Sequence, residues 1–175
     1  TEQLRIDNLI SDSQTILFYW KAEEDWPVEH LTENISQFGY STTDFTSGKI
    51  KFAEIIHVDD LKRIFKEVSV NTKEHIDRYM QQYRIYTSTN EVRWIDDRTV
   101  IERDVDGNPT YYLGTITDIT EQKLAEDELR EQHKYLQSII DGIDDPIMVI
   151  KEDYIVELMN ATLKESINDL NIADI

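Results

Sequence analysis

Three stretches of the chain, residues 75–87, 91–103 and 110–119, are dense in Tyr, Ile, Val, Thr and Trp and are separated by little else. Side chains of these kinds suit the pleated, half-buried surface of a sheet, so each stretch is expected to be a strand. The links between them are short. Ser88-Thr89-Asn90 offers Asn90 for a left-handed backbone position, and Asp106-Gly107-Asn108-Pro109 is a strong turn signal. A parallel crossover needs a dozen or more residues, so this spacing forces the three strands to run antiparallel.

The residues before them complete the layer. Residues 15–20 are β-branched and aromatic and predict a strand, with a second short one at 28–32. Between 33 and 56, apolar pieces broken at Gly39 and Gly48 predict brief helices and loops. A clearer helix follows over 58–70, where Leu61, Ile64, Phe65 and Val68 form one apolar stripe and Asp59 or Asp60 can cap the start. Two strands, a helical middle and three strands make an α+β domain with an antiparallel sheet. Residues 3–13 carry helical spacing (Leu4, Ile6, Leu9, Ile10), so 1–13 reads as a flanking helix and 14–120 as the domain.

After Ile119 the pattern changes. Residues 120–140 lack Gly and Pro and are full of Glu, Gln, Lys, Leu and Ala, which predicts a linker helix over 121–141. Ala125, Leu129, Gln132, Leu136, Ile139 and Ile143 alternate spacings of four and three, a short coiled-coil seam broken by the polar Gln132. Asp118 and Glu121 have capping-box spacing. Asp144-Asp145-Pro146 ends the helix, and residues 147–151, 154–159 and 161–166 predict two strands and a short helix. The order helix, polar break, strand repeats that of residues 9–17, with Ile147 matching Ile16. Residues 142–175 thus read as the truncated start of a second domain, expected to be disordered or to pack on a partner chain.

Composition excludes several functions. The 175 residues carry a net charge of −18, which repels nucleic-acid phosphates and anionic membrane surfaces. The longest apolar runs are short, such as residues 147–150, so no membrane span and no direct membrane contact are expected. There is no cysteine, which excludes disulfides, thiolate metal sites and cysteine nucleophiles and is compatible with a reducing, cytoplasmic setting.

Several ordered motifs carry a family resemblance. Tyr83-Arg84-Ile85, Glu91-Val92-Arg93-Trp94-Ile95, residues 103–109 and the run Gly114-Thr115-Ile116-Thr117-Asp118-Ile119-Thr120-Glu121-Gln122-Lys123 resemble the C-terminal, PAC-containing half of PAS sensor domains. Residues 34–41 and Ile55-Ile56-His57-Val58-Asp59-Asp60-Leu61 look like that family's N-terminal half. Val58 stands where the family usually has Pro, and Asn90 where it often has Gly. The resemblance implies a PAS fold: a five-stranded antiparallel sheet with short helices over one face, then a long linker helix. It further implies that Asp118, Thr120 and Glu121 pass changes in the core into that helix. The parent would be a multidomain signalling protein, such as a two-component histidine kinase or a cyclic-dinucleotide enzyme. A homodimer through the flanking and linker helices and a C-terminal output domain are the expected partners.

No catalytic constellation appears, so the chain itself is not expected to be an enzyme. The four histidines (His30, His57, His75, His133) have no metal-ligand spacing, and His57 with Asp59 and Asp60 reads as a helix start. Some PAS domains hold haem through a histidine on the long helix; residues 60–70 contain none, so haem is disfavoured. Flavin of the cysteine-adduct kind is impossible without cysteine, while a small-molecule ligand stays open. Counted from Asp104, Gly107 and Thr115 miss the calcium-loop positions, leaving a hairpin turn. Phe38, Tyr40, Phe52, Ile56, Leu61, Phe65, Tyr83, Trp94, Tyr112 and Ile116, with Phe45, either line a ligand pocket or fill a core. The first alternative makes the domain a sensory input module. The second makes it a ligand-independent dimerisation or spacer module.

Overall fold

The computed structural model describes residues 14–169; the expected helix within 1–13 lies outside the described residues. The described chain separates into two compact units, with the boundary between Lys123 and Leu124.

The first unit is built on a five-stranded sheet of order β2-β1-β5-β4-β3. Its strands are β1 (Thr15–Lys21), β2 (Val28–Leu31), β3 (Arg78–Tyr86), β4 (Val92–Arg103) and β5 (Pro109–Asp118). All neighbours pair antiparallel, as the short connections require for β1 with β2, β3 with β4 and β4 with β5, and β1 pairs with β5 the same way. Burial alternates along β1, so Ile16, Phe18 and Trp20 face inward while their neighbours are half-exposed. The inward face is covered by a 3-10 helix (Glu33–Phe38) and helices α1 (Thr42–Thr46), α2 (Phe52–Ile55) and α3 (Val58–Lys73). Ile35, Phe38, Phe45, Phe52 and Ile64 from these helices meet Phe18, Tyr83, Ile95 and Ile116 of the sheet in one apolar core.

The turns follow the expected chemistry. Asn90 sits at φ 62 between β3 and β4. Between β4 and β5, Gly107 takes φ 83, and Asp104 Oδ1 accepts from the backbone N–H groups of Asp106 (3.0 Å) and Asn108 (2.8 Å).

The long helix departs from expectation at both ends. Its start is capped by His57, whose Nδ1 accepts from the Asp59 N–H at 3.3 Å, and not by Asp59 or Asp60. Asp60 is taken by Arg84 on β3: it accepts from the Arg84 backbone N–H (3.0 Å), from Nε (2.8 Å) and from a terminal guanidinium nitrogen (3.1 Å). At the other end α3 continues to Lys73, and His75, expected to open β3, instead takes φ 58 in the reversal that leads into the strand. A left-handed residue cannot continue a pleated strand, so β3 begins at Arg78.

Helix α4 (Thr120–Asp141) begins in the first unit and runs into the second. Beyond it, β6 (Met148–Ile150) and β7 (Val156–Met159) form an antiparallel hairpin, followed by α5 (Ala161–Asp169). Tyr154, expected within the second strand, sits at φ 65 in the hairpin turn, which pushes the strand start to Val156. The segment is organised around Asn160, which is 0% exposed. Its amide donates to the carbonyls of Ile143 (3.1 Å) and Asp145 (2.8 Å), and its Oδ1 accepts from the N–H of Ile147 (2.9 Å) and Leu163 (3.1 Å). Met148, Val149 and Ile150 remain substantially exposed, as expected for a sheet of only two strands.

Candidate functional site

The interior of the first unit is not completely filled. A cavity of about 30 Å³ lies between the sheet and the covering helices, walled by Trp20, Trp26, Phe52, Ile64, Val68 and Tyr112. Its polar lining comes from two adjacent central strands: Tyr79, Gln81 and Tyr83 on β3, Asp97 and Thr99 on β4.

Alternation along β4 turns Ile95, Asp97, Thr99 and Ile101 inward, so a carboxylate in this register is placed in the core. Asp97 is 5% exposed. Tyr83 donates to its Oδ2 at 2.7 Å and Thr99 to its Oδ1 at 2.9 Å. Burial nevertheless dominates and lifts the Asp97 pKa to about 6, because desolvation penalises the anion more than these two hydrogen bonds, which favour it, can offset. Burial also pushes the Tyr83 and Tyr79 hydroxyls upward, keeping both neutral.

Trp20 is 4% exposed, and its indole N–H has no hydrogen-bond partner. Its ring lies where only a glycine leaves room: a Cβ on Gly114 of β5 would fall 2.2 Å from Trp20 Cζ3 and 3.4 Å from Asp97 Oδ1. Trp20 and Asp97 therefore converge on the same point of the β5 backbone.

Of the residues expected to form a pocket or core, Phe52, Tyr83 and Tyr112 line the cavity. Phe38, Ile56 and Ile116 are packed core, and Tyr40 lies against it, its hydroxyl donating to the Tyr86 carbonyl at 2.9 Å. Leu61 packs against the core, and Phe65 stacks on Trp26. Trp94 is a correction. It alternates out of phase with Ile95 and lies on the opposite face of the sheet, between Arg84 (5.5 Å from the ring centroid) and Lys123 (5.7 Å). Trp20, Gln81 and Asp97 were not singled out in the sequence; a charged residue at an inward position of a central strand is the signal that marks Asp97.

The expected transmission residues gather at the end of β5. Asp118 Oδ1 accepts from the Thr120 N–H at 2.8 Å, and the Thr120 hydroxyl accepts from the backbone N–H of Trp94 at 2.8 Å. The Ile119 N–H donates to the Trp94 carbonyl at 2.8 Å. Glu121, expected to complete a capping box, instead lies in the field of Arg93, which also faces Asp118 at 3.8 Å. His133 is on the exposed surface of α4. Among the described residues, no group of His, Asp and Glu is placed to hold a metal ion, and no helix is long and apolar enough to cross a membrane.

Comparison with known proteins agrees with this architecture. A family profile described as PAS fold matches residues 29–116, half of the chain. The chain is 40% identical over 154 residues to a methyl sulfide methyltransferase-associated sensor of Methanosarcina acetivorans, covering 87% of this chain and 15% of that protein. It is 24% identical over 166 residues to the two-component sensor PprA of Pseudomonas aeruginosa, covering 93% of this chain and 18% of that one. The chain thus spans less than a fifth of these relatives' length. Among solved structures, a sensory box histidine kinase/response regulator from Burkholderia thailandensis superposes with a TM-score of 0.60 at 26% identity, over 77% of this chain and 98% of that one. The N-terminal domain of a diguanylate cyclase with PAS/PAC sensor from Marinobacter aquaeolei shares the fold at 17% identity, with a TM-score of 0.54 over 62% of this chain and 98% of that one. Five antiparallel strands with short helices over one face, and a profile match across them, place the chain in the PAS fold family.

Proposed function

We propose that the chain is the sensory input module of a longer signalling protein, and that it relays changes in the PAS core through Asp118, Thr120 and Glu121 into α4. The observation that carries this reading is the lock between the start of β4 and the first turn of α4. Trp94 bonds the α4 start through both its N–H and its carbonyl. Its neighbours on the same strand, Ile95 and Asp97, are in the core. A shift of β4 is felt at the helix without any intervening loop.

The histidine-kinase type of parent is supported by the sensor relatives, and a cyclic-dinucleotide enzyme is the other output expected from the family resemblance. A homodimer through α4 is supported by its uncovered seam, since Leu129 is 68% and Leu136 57% exposed. Ile143, counted in that seam, falls beyond the helix end at Asp141. Replacing Leu129 and Leu136 by Glu should abolish concentration-dependent association in sedimentation; unchanged association would remove α4 from the interface.

Amide hydrogen exchange on the Asp118→Ala variant tests the relay. Residues 120–130 should exchange faster while amides of Ile95 and Ile116 keep their protection. Unchanged exchange along α4 would count against the relay and favour a spacer module.

A further inference from the structure

The second unit repeats the opening hairpin of the first, bond for bond. In the first unit the Leu17 N–H donates to the Thr32 hydroxyl at 3.0 Å, and the Thr32 N–H returns to the Leu17 carbonyl at 3.1 Å. In the second, the Ile147 N–H donates to Asn160 Oδ1 at 2.9 Å, and the Asn160 N–H returns to the Ile147 carbonyl at 3.2 Å. The Asn34 amide donates to the Thr15 carbonyl at 2.7 Å, and the Asn160 amide to the Asp145 carbonyl at 2.8 Å. The turns close alike: the Lys21 N–H meets the Pro27 carbonyl and the Lys151 N–H the Ile155 carbonyl, both at 2.9 Å. The irregularity is shared too. Register shifts after Tyr19 in one hairpin and after Val149 in the other, leaving Glu29 and Glu157 as the extra residues.

These bonds equate Ile147 with Leu17, one residue away from the match with Ile16 that the sequence suggests. A slip of one residue exchanges the two faces of a strand. Met148 and Ile150 therefore stand where Phe18 and Trp20 do, on the core side, and Val149 stands where Tyr19 does, on the outer side. Phe18 and Trp20 are buried, whereas Met148 and Ile150 are 49% and 48% exposed. The difference lies in what flanks the strand. Leu17 and Lys21 turn their N–H groups toward β2, so alternation turns those of Phe18 and Trp20 toward β5, which pairs along the whole of β1. Ile147 and Lys151 likewise point to the β7 side, which turns the N–H and carbonyl groups of Met148 and Ile150 to the other edge. Among the described residues β6 pairs with β7 alone, so that edge is vacant.

We infer that the vacant edge of β6, with the apolar side formed by Met148 and Ile150, is the docking site for one antiparallel strand of the same protein from beyond Ile175, in the place that β5 holds beside β1. Spacing selects this occupant. Thr15 meets Thr117, 102 residues further on, and the same count from Asp145 ends well past Ile175. The relatives, of which this chain covers 15% and 18%, have the length to carry such a strand. The inference rests on the proposed function only in requiring a longer protein, and on no relay through α4.

The test compares residues 1–175 with the full-length signalling protein by amide hydrogen exchange. In residues 1–175 the N–H groups of Val149 and Lys151 should be protected, and those of Met148 and Ile150 should exchange at least about tenfold faster. In the full-length protein all four should be protected. Open Met148 and Ile150 amides there would overturn the assignment. So would protection of the same two amides in residues 1–175 that rises with protein concentration, which marks a second copy at the edge. Ile150→Asp should lower protection of residues 147–163 at least about tenfold in the full-length protein, where a charge would be buried. In residues 1–175, where the position is on the surface, the loss should stay below about threefold, and Val149→Asp should stay below that in both. Equal losses from the two variants in the full-length protein, or a larger loss from Val149→Asp, would overturn the assigned faces and with them the docking site. The relay is read on residues 120–130 with Asp118→Ala, so the two readings fail separately.

Discussion

The backbone N–H of Trp94 donates to the hydroxyl of Thr120 at 2.8 Å, so the first residue of α4 occupies a bonding position that a neighbouring strand would otherwise fill. The pairing of β4 with β5 ends one step earlier, at Ile95 opposite Asp118. The helix therefore continues the ladder by one side-chain bond and one backbone bond before turning away. Lys123, one turn further on, lies over the Trp94 ring.

Thr120→Val keeps the shape and removes the acceptor, leaving a partly buried N–H without a partner. We expect a loss of about 1 kcal/mol in chemical denaturation, with Thr120→Ser close to wild type. Equal stability of the Val and Ser variants would mean that water replaces the hydroxyl at no cost.

Asp60 connects α3 to β3 through three bonds to Arg84, and these guanidinium bonds hold its carboxyl below the usual carboxylate range. Asp60→Ala removes a nearly buried charge and strands the Arg84 backbone N–H. Breaking a buried pair from one side costs 3–5 kcal/mol in general, and the partly exposed guanidinium lowers this to about 2–3 kcal/mol. Arg84→Lys should recover only part of the pair, because Lys lacks the forked geometry. Urea unfolding of both variants checks the order.

Most of the sheet was legible in the sequence because its signals are local. Turn residues such as Asn90 and Gly107 and the short connections determine pairing direction without knowledge of the rest of the chain. The helix stripe Leu61, Ile64, Phe65 and Val68 also reads directly, as Ile64 and Val68 lie in the core, Leu61 packs against it and Phe65 stacks on Trp26. Trp94 misled because an aromatic in a strand identifies the strand and not the face; only the register with Ile95 decides that. The capping role of Asp60 failed for a tertiary reason: Arg84 lies 24 residues away and outbids the local N–H groups. The Trp20–Asp97 convergence depends on a glycine in a third strand, which no single segment shows.

Stability should depend on pH with two opposite arms. Asp97 has a folded pKa raised to about 6, so the native state holds its proton more tightly than the unfolded chain. Its contribution is present at acidic pH and is lost as pH rises from about 4 through about 6. Asp44, Asp60 and Asp104 are shifted down, so their contributions are present above the ordinary carboxylate range and are lost as pH falls below about 4. Maximum stability is expected between about pH 4 and 6. Asp97→Asn should remove the alkaline arm and make the variant more stable than wild type at about pH 8, by on the order of 2 kcal/mol. Parallel melting curves for the two proteins across pH 5–8 would show that Asp97 is solvated in the native state.

Asn160 offers the sharpest test within the second unit. Its buried side chain bonds backbone groups on the segment before β6 and at the start of α5, and it spans pieces of chain that have little apolar packing of their own. Asn160→Ala would orphan the Ile147 and Leu163 N–H groups and the Asp145 carbonyl, while the carbonyls of Ile140 and Ile143 would each lose one donor and keep another, from the Ile143 N–H and the Thr162 hydroxyl. A loss of about 2–4 kcal/mol follows from several such groups at once. An isolated two-stranded hairpin is marginal at best, so this exceeds what β6 and β7 can withstand. Amides of residues 147–163 should lose their exchange protection in the variant, while Ile95 and Ile116 in the first unit keep theirs. Asn160→Asp should be nearly as damaging, since a carboxylate accepts from Ile147 and Leu163 but repels the three carbonyls. Retained protection at Ile147 and Leu163 in the Ala variant would show that the hairpin is held by its apolar contacts instead.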